Sequence, residues 1–75
     1  MIIRVFGMLE ELIGKNELQI SGVQTIADIE EKLFGEYPDL RYMKFSVAVN
    51  RKIIRGDIAV QDSDEIALLP PFSGG

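Results

Sequence analysis

The segment TIADIEEKLFGEY, residues 25–37, is the clearest element of the sequence and decides the class of fold. Thr25 and Asp28 place a hydroxyl and a carboxylate at the spacing of a capping box, which marks the start of a helix. Pro38 disfavours a helical residue before it, so the helix should end by residue 37. The apolar residues between these ends recur on a single helix face: Ile26, Ile29 and Leu33.

Strand-like segments surround this helix, and one such helix requires only one sheet face to cover its apolar stripe. The short segment Met8–Ile13, closed by Gly14, predicts a minor helix that connects the first two strands. The β-branched and alternating segments that predict strands are residues 2–6, 17–21, 45–49, 53–54 and 65–69.

This order of elements predicts an α+β fold, in which a mixed sheet of four to five strands packs on one main helix. We expect a ubiquitin-like β-grasp with the first and last strands side by side in the centre of the sheet. A ferredoxin-like βαββαβ fold is the alternative. It needs two comparable helices, and Met8–Ile13 is short for that role.

Length and composition exclude several classes of protein. The chain has 75 residues, 47% of them hydrophobic and 27% charged, which is typical of one globular domain and not of a disordered chain. We expect no membrane span and no signal peptide. The lack of cysteine favours a cytoplasmic location, and the net charge of −4 argues against binding to nucleic acid.

Residues 70–75, PPFSGG, form the part of the sequence that points to chemistry. We expect a β-grasp domain over residues 1–69 and a flexible, extended tail that ends in Gly-Gly. The prolines favour an extended segment, and glycines without a Cβ can enter a narrow channel. The reactive group would then be the α-carboxylate of Gly75, although a frayed terminus without function is the simpler alternative.

A carboxylate is a poor electrophile and must be activated before a nucleophile can attack it. The sequence contains no glycine-rich phosphate loop and no cysteine or histidine. Another protein would therefore have to activate the terminal carboxylate. This predicts a substrate and carrier that is not an enzyme by itself and that binds neither a metal nor a cofactor.

The sequence resembles the MoaD family, the small subunits of molybdopterin synthase, which are ubiquitin-like sulfur carriers. The resemblance covers the whole chain, and the Pro-Pro-x-Ser-Gly-Gly ending is its most specific part. The segments that carry it are Ile2–Phe6, Glu11–Gly14, Val47–Asn50, Asp64–Ala67 and Leu68–Gly75.

The resemblance implies a cycle of activation and sulfur transfer at Gly75. An E1-like, MoeB-like enzyme would adenylate the carboxylate with ATP, and a sulfur donor system would convert the adenylate to a thiocarboxylate. A MoaE-like large subunit would receive the tail in its catalytic channel. The sulfur would pass to cyclic pyranopterin monophosphate during molybdenum cofactor biosynthesis. The residues expected in the channel are Pro70, Pro71, Phe72, Ser73 and Gly74.

Strand parity predicts a docking surface beside the tail. If the alternate strand residues that include Ile3 and Val5 face the helix, their neighbours form an apolar patch on the opposite sheet face. The resemblance favours Ile53 over Ile54 as the member from the short strand. The predicted docking patch consists of Phe6, Ala48, Ile53, Ala67 and Leu69.

Three other functions remain open at this point. A thiamine-type, ThiS-like sulfur carrier would share the thiocarboxylate but serve a different pathway. A ubiquitin-like modifier would join Gly75 to a lysine of a target protein. A plain interaction domain would use the sheet surface alone, and its glycines would be incidental.

Overall fold

The computed structural model describes residues 1–71, so the predicted tail residues Phe72, Ser73, Gly74 and Gly75 lie outside the described residues. The described part contains five strands, two α-helices and one 3₁₀ helix. In chain order these are β1 (Ile2–Val5), α1 (Met8–Ile13), β2 (Glu17–Gln19), α2 (Ile26–Glu36), the 3₁₀ helix (Pro38–Tyr42), β3 (Ser46–Val49), β4 (Lys52–Ile54) and β5 (Ile66–Leu69).

The five strands form one mixed sheet in the order β2-β1-β5-β3-β4. Strands β1 and β5 are parallel neighbours, while the other three pairs are antiparallel. The first and last strands therefore lie side by side in the interior of the sheet, as predicted. Helix α1 has 6 residues against 11 in α2, so the fold is a β-grasp with one main helix and not the ferredoxin-like alternative.

The core lies between α2 and one face of the sheet. Full burial of a valine, leucine or isoleucine side chain stabilises the folded state by about 1.5–3 kcal/mol. The described residues include no buried polar or charged side chain, so the interior is apolar. The buried residues that α2 and the sheet supply are Ile26, Ile29, Leu33, Ile3, Val5, Val47, Val49, Ile66 and Leu68.

The predicted capping box of α2 is present. The Thr25 hydroxyl accepts a hydrogen bond from the backbone N–H of Asp28 at 3.1 Å, and the Asp28 carboxylate accepts one from the N–H of Thr25 at 3.2 Å. The carboxylate also accepts a bond from the N–H of Gln24 at 2.9 Å. The bond from Gln24 and those from Thr25 lower the pKa of Asp28 by more than desolvation raises it.

Four strands are shorter than predicted and β4 is one residue longer, because local pattern does not show where pairing stops. Phe6, Ser21, Phe45 and Glu65 fall just outside β1, β2, β3 and β5. The chain after α2 forms the 3₁₀ helix, in which Pro38 takes a first-turn position where its missing N–H is tolerated. Phe45 packs at the margin of the core, where its ring contacts that of Phe34 edge-on with the ring centroids 6.2 Å apart.

Candidate functional site

The predicted tail starts where β5 ends, in the interior of the sheet. The backbone N–H of Phe6 donates to the carbonyl of Leu68 at 3.3 Å, just beyond the last paired residues of β1 and β5, Val5 and Leu68. Pro70 then follows Leu69, and because proline has no N–H it cannot extend the ladder. The chain therefore leaves the sheet at a fixed point.

The two prolines differ in their surroundings. Pro70 is half-buried and its ring lies over Gly7, the residue that follows β1, whereas Pro71 is exposed. Pro70 thus keeps contact with the domain, and the chain first becomes exposed at Pro71. The predicted roles of Gly75 and of the residues before it fall outside the described residues and stay predictions.

The predicted docking patch lies on the sheet face opposite α2, which we call the outer face. The register places Arg4, Ala67, Ala48 and Ile53 side by side across β1, β5, β3 and β4. Phe6 follows β1 on the same side. The outer face therefore brings residues from separate parts of the sequence together beside the point where the tail leaves.

The members of the patch differ in exposure. Phe6 is 46% exposed and Ile53 is 56% exposed, while Ala67 and Leu69 are half-buried. The expectation that Ala48 is exposed is wrong, because only 4% of its surface is accessible. Its small side chain lies on a central strand between Ala67 and Ile53, so Ala48 forms the floor of the patch.

Ile2 is a member of the outer face that the sequence prediction left out. It is 49% exposed and shares the parity of Phe6 on the same side of β1. That parity was the signal that could have placed Ile2 in the patch. Between them Arg4 lies 4.0 Å from Glu17, with both side chains more than half exposed, so a polar pair separates Ile2 from Phe6 on this face.

The acidic turn before β5 is held by hydrogen bonds of its own. The Asp64 carboxylate accepts bonds from the backbone N–H of Gln61 at 2.8 Å and from the side-chain amide of Asn50 at 3.0 Å. The side-chain oxygen of Asn50, Oδ1, accepts a hydrogen bond from the backbone N–H of Glu65 at 2.9 Å. The bond from Gln61, followed by that from Asn50, lowers the pKa of Asp64, so this carboxylate stabilises the turn.

Two kinds of feature are absent from residues 1–71. Within them, no cluster of at least three carboxylate, histidine or cysteine side chains is arranged to hold a metal ion. The helices that the structure describes are also all too short or too polar to cross a membrane.

Curated relatives cover nearly the whole chain. A molybdopterin synthase sulfur carrier subunit from Haemophilus influenzae is 31% identical over 75 residues, covering 93% of this chain and 93% of that protein. A protein of the same name from Dictyostelium discoideum is 35% identical over 80 residues, covering 97% and 93%.

Solved structures share the fold. The small archaeal modifier protein 1 from Methanosarcina acetivorans superimposes with a TM-score of 0.81 at 31% identity, covering 99% of this chain and 94% of that chain. A chain from the complex of subunits 1 and 2 of the molybdopterin-converting factor of Helicobacter pylori gives 0.74 at 24% identity, covering 99% and 96%. The sequence itself matches the ThiS family over residues 3–75. The chain therefore belongs to the ThiS family, and the predicted resemblance to the small subunits of molybdopterin synthase is confirmed.

Proposed function

We propose that this protein carries sulfur as a thiocarboxylate on Gly75 and delivers it to a molybdopterin synthase large subunit. The observation that supports this most is the family match, which extends through the glycines to residue 75. The two curated relatives are both sulfur carrier subunits of molybdopterin synthase, and each aligns with at least 93% of this chain.

The proposed chemistry has two stages on the tail. A carboxylate oxygen of Gly75 attacks the α-phosphorus of ATP on a MoeB-like enzyme, and pyrophosphate leaves. A sulfur nucleophile from the donor system then attacks the acyl carbon of the adenylate and AMP leaves. If the donor supplies its sulfur as a persulfide, the product is an acyl disulfide, and a second thiol of the donor system cleaves its S–S bond, so that the donor is left as a disulfide and the chain ends in a thiocarboxylate. The side chains of this protein take no part in these bond changes.

The proposed acceptor stage takes place in a MoaE-like large subunit. The thiocarboxylate sulfur attacks a carbon of cyclic pyranopterin monophosphate and displaces an oxygen substituent; water then hydrolyses the resulting thioester, so the sulfur stays on the acceptor and the chain returns to its carboxylate form. Two such transfers supply the sulfur atoms of the dithiolene. This protein would be the sulfur-donor subunit, with the catalytic side chains on the large subunit.

The outer face supports docking by a larger protein. Phe6 and Ile53 are each about half exposed and lie on either side of the half-buried Ala67 and Leu69, beside the exit of the tail at Pro70. An apolar surface of this kind on a small domain marks an interaction site. A partner bound there would lie close to the start of the tail that it has to receive.

Mass spectrometry of the protein purified from its own host tests the proposal. We expect a fraction of the chains to carry the mass gain of one sulfur in place of one oxygen, located in the C-terminal peptide. Deletion of Gly75 should abolish this species and leave the melting temperature unchanged. Addition of one residue after Gly75 should also abolish it, whereas one residue added before Met1 provides the matched control. Absence of the sulfur-containing species from the unaltered chain, with active donor and activating enzymes present, would overturn the proposal.

The molecule that accepts the sulfur distinguishes the proposed molybdopterin function from the ThiS-like alternative. The charged protein should convert cyclic pyranopterin monophosphate when it is mixed with the large subunit of the same host. Sulfur transfer into a thiazole precursor, without conversion of the pterin, would favour a thiamine-type carrier.

A ubiquitin-like modifier is the second candidate function, and it is supported by the similarity to a solved modifier protein. The archaeal modifier protein is 31% identical to this chain and superimposes over 99% of it. In that case Gly75 would form an isopeptide bond with a lysine of a target protein. Affinity capture followed by digestion should then yield branched peptides that carry the C-terminal residues of this chain on target lysines.

A further inference from the structure

Gly7 has a backbone conformation that other residues do not adopt without strain. Its φ is 62° and its ψ is −136°, in a region that is essentially restricted to glycine. It stands between β1 and α1, and its carbonyl accepts the hydrogen bond from the N–H of Glu10 at 3.0 Å. The chain therefore needs a glycine here to turn from the strand into the short helix.

The space at Gly7 is restricted by a second, independent feature. A Cβ added to Gly7 would lie 3.0 Å from Cγ of Pro70 and 3.7 Å from its Cβ and Cδ. A side chain at residue 7 would therefore press against the proline ring, which would have to shift by a few tenths of an ångström. Gly14, at the other end of α1, also has a positive φ of 84°, but nothing lies within 4 Å of a Cβ added there.

We infer that Gly7 positions the tail by seating the ring of Pro70 at the point where the chain leaves β5. This inference rests on the proposed function, because it concerns how Gly75 reaches an active site. The five residues after Pro70 can span at most about 17 Å, so the point and direction at which the chain leaves Pro70 limit where the carboxylate can reach.

The inference separates docking from presentation of the tail. The outer face binds the partner, whereas Gly7 and Pro70 set the direction in which the tail departs. Misplacement of a reacting group by about 1 Å can cost a factor of 100 in rate. A protein with a displaced tail should therefore still bind its activating enzyme but react slowly.

The decisive experiment compares Gly7→Ala with Gly14→Ala. Both variants place a Cβ at a positive φ next to α1, so both carry backbone strain, but only the first pushes against Pro70. With the host's activating enzyme and ATP, we expect Gly7→Ala to lower kcat for pyrophosphate release by about tenfold or more relative to Gly14→Ala, with KM little changed. Equal kcat values for the two variants, or a rise in KM alone, would overturn the inference.

Pro70→Ala tests the same contact if Gly7→Ala does not fold. It removes the ring and leaves Gly7 unaltered, and it should lower kcat in the same way. Pro38→Ala, at the start of the 3₁₀ helix, is the matched control and should leave kcat unchanged. Equal values for these two variants would also contradict the inference.

Nuclear Overhauser effects test the contact between Gly7 and the Pro70 ring in the absence of any partner protein. Strong effects should join the Gly7 α-protons to the Pro70 ring in the unaltered protein, persist in Gly14→Ala and disappear in Gly7→Ala. Their absence from the unaltered protein would overturn the inference and leave the proposed function standing. If the effects are present but the unaltered chain is not adenylated, the proposed function fails and the role of Gly7 in presentation fails with it.

Discussion

The turn between β3 and β4 contains two consecutive residues with positive φ, Asn50 at 51° and Arg51 at 70°. Because Val49 pairs with Lys52, the residues between them, Asn50 and Arg51, form a two-residue hairpin loop with the backbone of a type I′ turn. Asparagine tolerates this conformation, whereas arginine is strained in it. The Arg51 side chain lies 3.8 Å from Glu65, and an exposed pair of this kind contributes little.

Arg51→Gly should therefore stabilise the protein. Relief of the strain at φ 70° exceeds the extra chain entropy of glycine in the unfolded state, so we expect the free energy of unfolding to rise by up to about 1 kcal/mol. Arg51→Ala is the control, because it removes the ion pair without relieving the strain. Chemical denaturation measures both, and equal stability of the two variants would contradict the prediction.

The lowered pKa of Asp64 predicts a loss of stability in acid. A carboxylate whose pKa is depressed by folding stabilises the protein above its ordinary value of 3.8, and this contribution is lost as the pH falls through the folded-state pKa. The free energy of unfolding should therefore decline below about pH 4. Asp64→Asn should flatten this decline, as chemical denaturation over a series of pH values measures, and an unchanged pH dependence in this variant would contradict the prediction.

Burial of individual residues was only partly predictable from strand parity. Parity placed Ala48 on the outer face, but alternation does not show that a methyl group between two other strands is covered by their side chains. Exposure depends on strand order, which is a property of the whole sheet. The close contact of Pro70 with Gly7 likewise joins opposite ends of the chain and has no local signal.

At the scale of the element, α2 was the part most accessible to sequence reasoning because its signals are local. The predicted cap Thr25 and the predicted end near Tyr37 both agree with the structure. Hydrogen bonds over short sequence distances set these ends. One further bond, from the N–H of Ala27 to the Asp57 carboxylate at 2.8 Å, comes from a distant loop and could not be predicted.

Thr25→Ala tests the cap directly. Loss of the hydroxyl leaves the N–H of Asp28 without its acceptor, so we expect the free energy of unfolding to fall by about 1 kcal/mol. Thr25→Ser retains the acceptor and is the matched control. Thermal denaturation of the two variants gives the comparison, and similar losses in both would show that the methyl group and not the hydrogen bond stabilises the site.

At the scale of the whole molecule, the parallel pairing of β1 with β5 determines where the tail departs. It brings the end of β1, with Phe6 and Gly7, beside the end of β5, where Pro70 begins the exit. The arrangement was predictable as a fold class from the order of elements. It places the exposed aromatic side chain of Phe6 next to the base of the tail.

Phe6→Asp should weaken the proposed docking to the large subunit without unfolding the protein. Phe6 is 46% exposed and lies outside the core, so a carboxylate there remains in contact with water when the protein is free. In a complex the same carboxylate would be buried against apolar surface, and we expect affinity for the large subunit to fall by about tenfold or more.

Tyr42→Asp supplies the matched control for this prediction. Tyr42 is another exposed aromatic residue, 86% accessible, and it ends the 3₁₀ helix rather than lying on the outer face. Calorimetric titration of each variant with the large subunit should show normal affinity for Tyr42→Asp and weak affinity for Phe6→Asp, with both proteins folded. Because both changes add one negative charge in place of an aromatic ring, equal loss in both would point to long-range repulsion instead of docking on the outer face.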